Sequence, residues 1–344
     1  MKISFYPQLL LLFLFQTKNV VLSQNLSDKQ FSDRQMLQAG VWKDTDGNFI
    51  NAHGGGILHH QGVYYWFGEI KKGNTWLVPD QKRECYRVAA SGISCYSSKD
   101  LKNWKFEKTA LASTTSDRQS DLDTGRVMER PKVIYNQKTK QFVMWMHMDS
   151  KDYTYAGAGV AVSSTPAGPY QYLGSQKPDE QNSGDLTLFK DDDGRAYLIF
   201  ASENDNSIHI NRLSNDYCSL TNQSVNIFEG LRRTTPVMFK LGKRYYMLTS
   251  TGTEWSPNAT SYAVSDSPVG DWKPMGNPCI GPFSETTFSS QGSFVLPIDP
   301  KKGKFLFMAD RWNKTDLENS RYLWLPMEVK GDVINVTWSA KVPD

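Results

Sequence analysis

Five polar residues recur at matching places along the chain. His53, Glu129, Asp185, Thr234 and Gln291 each open a short apolar run, and Glu69, His147, Glu203, Glu254 and Asp310 close the run that follows. Carboxyls set beside an imidazole, an amide and a hydroxyl can transfer protons and hydrogen-bond a polar ligand. The openings lie 76, 56, 49 and 57 residues apart, so this chemistry requires a scaffold that returns each one to a common point.

The intervening runs supply that scaffold. Stretches such as His53-GGGILHHQGVYYWFGE, Glu129-RPKVIYNQKTKQFVMWMH and Gln291-GSFVLPIDPKKGKFLFMAD pair five to seven Val-, Ile-, Tyr-, Phe- and Met-rich residues across a turn, the pattern of a β-hairpin. Their spacing suits a four-stranded sheet with loops, which predicts an all-β, five-bladed β-propeller. Inner strands of a propeller line its axis, and an antiparallel partner returns to the same face, so both sets of polar residues should ring one opening. A third strand and a Ser/Asp-containing turn recur after the hairpins, as in Gly92-ISCYSSKDLKNW and Tyr262-AVSDSPVGDW. Asp191-Asp192-Asp193-Gly194 is a hairpin turn rather than a calcium loop, because no bidentate acid follows at the required distance.

The 39 basic and 36 acidic residues are interspersed, with a net charge of +3, which argues against a nucleic-acid partner. No paired His spacing, CxxC, P-loop or dinucleotide fingerprint appears, so neither a metal nor a cofactor is implied. Lys2, the apolar stretch to Phe15 and a polar region ending near Ser23 form the outline of a secretory signal. The expected organisation is therefore residues 1–23 as signal and 24–344 as one domain, secreted or lumenal, with no membrane association after signal removal. Residues 24–40 could close the ring. Sequons begin at Asn25, Asn222, Asn258, Asn313 and Asn335. In an oxidising compartment Cys85 and Cys95, flanking a candidate turn in blade one, are the first pair expected to bridge; Cys218 and Cys279 are the second, and buried free thiols are the alternative.

The strand openings resemble family 43 glycoside hydrolases, specifically the exo-β-1,3-galactosidase branch. The matching phrases include Ala52-HGGGIL, Glu129-RPKVIYN, Asp185-LTLFKDDDGRAYLI, Ser289-SQGSFVLP and Phe307-MADRWNKTDLENSRYLWLP, spread over about residues 50 to 327. The resemblance implies an inverting hydrolase, in which an acid protonates the leaving oxygen while a base activates water across a gap of about 6.5 to 9.5 Å. It implies that Asp185 tunes the acid and that Gln291 positions the water, with His53 in place of the wider family's basic Asp. It further implies an oligo- or polysaccharide substrate with β-1,3-linked galactose; a monomer is expected. The departure is at blade four, where Arg233-Thr234-Thr235-Pro236 replaces the branch's Arg-Glu-Ala-Pro. The residue at the position of the acid is thus Thr234, whose hydroxyl cannot supply a proton near neutral pH.

Two readings follow. Glu254, in Thr253-Glu254-Trp255 where the branch has Gly, could compensate from the end of the strand paired with the one Thr234 begins. Alternatively, the chain is an inactive carbohydrate-binding propeller. On either reading Glu129 is placed to meet sugar hydroxyls or developing positive charge, unless it is held in an ion pair with Arg130 or Arg311. His53, Glu69, Thr234, Trp255 and Arg311 complete the expected binding set, and Trp145 and Trp312 could stack on a sugar or pack between blades.

Overall fold

The computed structural model describes residues 41–339, apart from 82–83, 203–205 and 254. Five sheets surround one axis. Blade one runs His53–His60, Val63–Glu69, Ile93–Ser98 and Lys105–Leu111; blade two Val127–Asn136, Gln141–Asp149, Gly157–Ser163 and Gln171–Gln176; blade three Ser183–Lys190, Ala196–Ser202, Ser207–Leu213 and Leu220–Ile227. Blade four runs Arg233–Leu241, Arg244–Thr251, Ser261–Ser265 and Lys273–Gly276. Blade five, Gln291–Asp299, Lys304–Arg311, Arg321–Lys330 and Val333–Thr337, carries the short strand Cys279–Ile280 parallel on its outer edge. The five-bladed, all-β architecture is the one the repeat implies.

Register explains how the polar residues meet. His53 pairs with Glu69, Glu129 with His147 and Gln291 with Asp310. Thr234 pairs with Ser250, and its partner strand ends at Thr251. The expectation that Glu254 ends this strand is therefore corrected: the ladder stops three residues earlier, and Glu254, like Glu203, lies outside the described residues. Every inner strand carries a bulge just after its opening, between His53 and Gly56, Glu129 and Lys132, Ser183 and Leu186, Thr234 and Val237, and Gly292 and Phe294. Two bulges hold a non-glycine residue in the left-handed region, Arg130 at φ 55° and Thr235 at φ 48°. A bulge breaks strict side-chain alternation and re-aims side chains at the strand end.

Aromatic residues between the blades form the core. Trp66, Trp104 and Trp324 are buried and meet at ring separations of 4.9 to 5.9 Å where blade one faces blade five. Trp42 packs on Trp324 at 4.8 Å and helps fasten this seam. The proposed closing segment, residues 24–40, lies outside the described residues. Trp145 is wholly buried and donates to the Tyr217 carbonyl at 2.8 Å, so it packs between blades rather than meeting a ligand.

The Cys85–Cys95 bridge is not formed, nor is Cys218–Cys279. Cys95 is on the third strand of blade one and faces the Phe67, Ile93 and Met144 cluster between blades, whereas Cys85 lies in an excursion toward the axis, accepting from Val78 N through its carbonyl. The Asp191–Gly194 segment is a turn, and Asp191 pairs with Lys240 and accepts from Tyr245 of blade four. Asn258, the third sequon, uses its side chain within its own loop: Nδ2 donates to Thr251 O and Oδ1 accepts from Thr251 N, both at 2.9 Å.

Candidate functional site

The inner-strand bulges bring Glu129, Arg130, Asp185, Thr234 and Gln291 together at the axis. Arg130 joins three blades: its Nε donates to Asp185 Oδ1 at 2.6 Å and its Nη2 to Gln291 Oε1 at 2.6 Å. Thr234 Oγ1 donates to the other Asp185 oxygen at 2.8 Å, and Trp312 Nε1 donates to Gln291 Oε1 at 2.9 Å. Both oxygens of Asp185 thus act as acceptors, and the Gln291 carbonyl takes two donors. The Gln291 amide NH2 is left to meet a water or a hydroxyl. The Arg130 guanidinium also lies 5.7 Å from the centre of the Trp312 ring.

Glu129 is reached differently from the expectation. Arg130 turns to Asp185, and the cation on Glu129 is Lys71, whose Nζ is 2.9 Å from Glu129 Oε1 and 2.8 Å from Glu69 Oε2. Tyr153 donates to Glu129 Oε1 at 3.4 Å. Burial pushes both carboxyls up, but they part company. Glu69 is raised because desolvation outweighs Lys71, while Lys71, His147 and Arg130 hold Glu129 down to about 2. Glu129 is therefore an ionised carboxylate facing the pocket, with 23% of its side chain exposed, and Glu69 at 3% is sealed behind it.

His53 and Asp310 are also sealed. His53 Nδ1 lies 3.3 Å from Asp310 Oδ1, Gly54 N donates to Asp310 Oδ2 at 3.1 Å, and the imidazole stacks on Tyr322 at 4.8 Å. His53 meets the pocket through Trp312, 5.7 Å away between ring centres. His147 Nδ1 faces the Ser183 carbonyl at 2.7 Å and Nε2 faces Asp149 at 3.5 Å; burial lowers its pKa, but Asp149 and Glu129 raise it more. Below the site Lys132 Nζ donates to Gly54 O at 2.8 Å, and its burial pulls its pKa down to about 7.

One wall comes from an excursion of blade one. A ribbon of Trp76–Leu77 and Tyr86–Arg87 leaves the sheet and crosses toward blades four and five. Trp255 Nε1 donates to Glu84 O at 3.0 Å, and its ring meets Tyr86 and Trp312 edge-on at 6.0 and 6.3 Å. Lys314 pairs with Glu84 at 2.6 Å, and Leu317 N donates to Thr75 Oγ1 at 2.8 Å. Trp255 thus stands in an aromatic rim. Arg311 is turned elsewhere: it donates to Phe288 O at 2.7 Å and its guanidinium lies 5.7 Å from the Trp338 ring, so the expected sugar contact is replaced by a bond within blade five's approach.

Sequence reasoning missed Lys71, Tyr153 and the reach of Arg130. Lys71 carried a signal, since it stands two residues after Glu69 and so shares its face in an extended segment. Tyr153 carried none, because it lies in the loop after blade two's second strand. Among the described residues no group of three or more His, Cys, Asp or Glu side chains is gathered to hold a metal ion.

The profile of glycosyl hydrolases family 43 matches residues 57–314. A GH43 β-1,3-galactosidase solved with galactodeoxynojirimycin is 40% identical, with a TM-score of 0.79 over 88% of this chain and 98% of its own. An exo-β-1,3-galactanase from Phanerochaete chrysosporium, solved with galactose, is 34% identical with a TM-score of 0.77, and one from Clostridium thermocellum is 33% identical with a TM-score of 0.75. The alignments cover 88% and 87% of this chain but only 66% and 64% of those two. No curated protein sequence matches the chain. A five-bladed propeller with an axial cluster of carboxylates, matched by that profile along most of its blades and by a solved relative along nearly its whole length, places the chain in family 43 of the glycosyl hydrolases.

Proposed function

We propose that this family 43 hydrolase removes terminal galactose from β-1,3-linked galactan, with inversion. The observation that carries the reading is the Arg130 bridge between Asp185 and Gln291, half-open at the axis beside the ionised Glu129. In this reading Glu129 binds hydroxyls and stabilises developing positive charge, and the Gln291 amide holds the attacking water against the sugar. Asp185 orients the leaving-group side, while Trp255 and Trp312 form the rim on which the sugar rests. Thr234 supplies a hydroxyl contact but no proton. The proton donor is proposed to be Glu254, the carboxylic acid that precedes Trp255 in the sequence. Galactose 1,3-β-linked to a longer chain is the substrate class, and the galactosidase and galactanases above support that choice.

The protein is proposed to act as a monomer in a secretory compartment or outside the cell, with glycans on the exposed Asn222 and Asn313. The hydrogen bond from Thr234 to Asp185, where a family acid would stand, favours the second reading of a carbohydrate-binding propeller without hydrolysis. Incubation with β-1,3-galactan, with released galactose measured by anion-exchange chromatography, separates the two. Activity in the wild type and its loss in Glu254→Gln supports the hydrolase with Glu254 as donor. Galactan binding with no release in either protein supports the binding propeller.

A further inference from the structure

The first paired residues after the five inner-strand bulges are Gly56, Lys132, Leu186, Val237 and Phe294. Four of them carry no polar side chain, as suits positions packed beneath a pocket. Lys132 is the exception, and it is only 3% exposed. The charged groups that face its ammonium are Arg130, Asp310, Asp185 and Glu69, but the three carboxylates pair with His53, Arg130 and Lys71. Among the described residues none lies within ion-pair distance of Lys132 Nζ, which donates to two backbone carbonyls, Gly54 O of blade one at 2.8 Å and Arg130 O of blade two at the longer 3.5 Å. Blade one makes room for the stem: a Cβ at Gly56 would stand 3.0 Å from Lys132 Cδ and 2.8 Å from the Phe294 ring.

A buried ammonium that meets only carbonyl oxygens is less stable there than an apolar side chain of the same shape. The backbone beside it is strained as well. Arg130 holds φ 55° although it is not glycine, and it precedes Pro131, whose ring favours an extended residue before it. Both penalties fall on one bulge, and the group that this bulge aims is the guanidinium on Asp185 and Gln291. Lys132 follows Arg130 by two residues, so its bond to Gly54 O anchors the far side of the bulge to blade one, and its bond to Arg130 O steadies the near side.

We propose that Lys132 is a positioning residue of the hydrolytic site: from beneath the pocket it clamps the Arg130 bulge to blade one and so aims the guanidinium at Asp185 and Gln291. The effect on turnover rests on the hydrolase reading above, whereas the effect on Arg130 is independent of it.

Lys132→Met keeps the length of the stem and removes its charge and donors. On β-1,3-galactan kcat should fall about 100-fold while KM stays within about threefold, because Lys132 is sealed beneath the pocket and binds no sugar. The melting temperature should stay within a few degrees, since removal of a buried charge offsets the loss of its hydrogen bonds. An unchanged kcat in the folded variant would overturn the proposal. Gly56→Ala reaches the same group from blade one, displacing the stem without altering its charge, and should lower kcat about tenfold with KM again held. That variant decides the matter if Lys132→Met does not fold. Absence of galactose release by the wild type would mark failure of the galactan reading, and crystal structures of the variants then test Lys132 alone. Arg130 turned away from Asp185 sustains the proposal, and Arg130 still bridging Asp185 and Gln291 overturns it.

Discussion

Two rings of polar residues surround the same opening, and they are built for different work. The axial ring of Glu129, Asp185, Thr234 and Gln291 is half-buried and bound across blades. The ring behind it, Glu69, His147 and Asp310, is buried. Its members hold neighbours of the first ring: Asp310 takes His53 and Gly54 N, Glu69 takes Lys71, and His147 meets the Ser183 carbonyl two residues before Asp185. Carboxylates at equivalent strand ends therefore fall into two classes, one that meets the ligand and one that fixes what meets it. The division follows from burial, since a carboxylate withdrawn from water must be compensated internally and has little left to offer a substrate.

Substitutions can break that division. Asp185→Asn, in the axial ring, should lower galactan hydrolysis by about 10²- to 10⁴-fold with little change in melting temperature. Equal losses of activity and stability there would erase the distinction. Asp310→Ala should do the reverse first: it strands the His53 imidazole and Gly54 N–H in a dry site, at a cost of about 3 kcal/mol, seen as a fall of several degrees in thermal unfolding. Trp312→Phe keeps the ring and removes the indole donor to Gln291, so kcat should drop about tenfold while KM changes little.

The smallest effect sharpens the comparison through pH. Glu69 has its pKa raised by burial to about 8, so between the ordinary carboxylate range and that value the folded chain holds a proton that the unfolded chain has released. Stability from this group is full at low pH and is lost as pH rises through that window. Glu129, shifted down, acts with the opposite sign: its contribution is present above the ordinary range and is lost on acidification toward about 2. Glu69→Gln should flatten the decline in unfolding temperature between about pH 5 and 8. An unchanged slope would show that Lys71 keeps Glu69 ionised.

The propeller was legible because two-residue alternation and hairpin turns need no tertiary information, and the paired ends His53 with Glu69, Glu129 with His147 and Gln291 with Asp310 follow from counting across each turn. Site partners were less legible. Alternation places Arg130 and Glu129 on opposite sides, but the bulge at φ 55° turns Arg130 toward Asp185 and Gln291, and no local pattern announces that conformation. Counting also failed at blade four, where the strand ends at Thr251 rather than reaching Glu254. Arg311 was misread for a related reason: it is the last residue of its strand, and its guanidinium turns to Phe288 O. The cysteines depended on knowing that the chain between Glu69 and Ile93 leaves the sheet as a ribbon, which carries Cys85 away from Cys95.

That ribbon has a consequence for the whole ring. A circular array of blades has a seam where its first and last members meet, and the excursion from blade one spans it through Thr75 to Leu317 and Glu84 to Lys314, while the Glu84 carbonyl reaches on to Trp255 of blade four. The fastening of the seam and the wall of the pocket are thus one element. A bound sugar resting on that wall would act as a rivet through the join, and the ring would hold most firmly when the site is full.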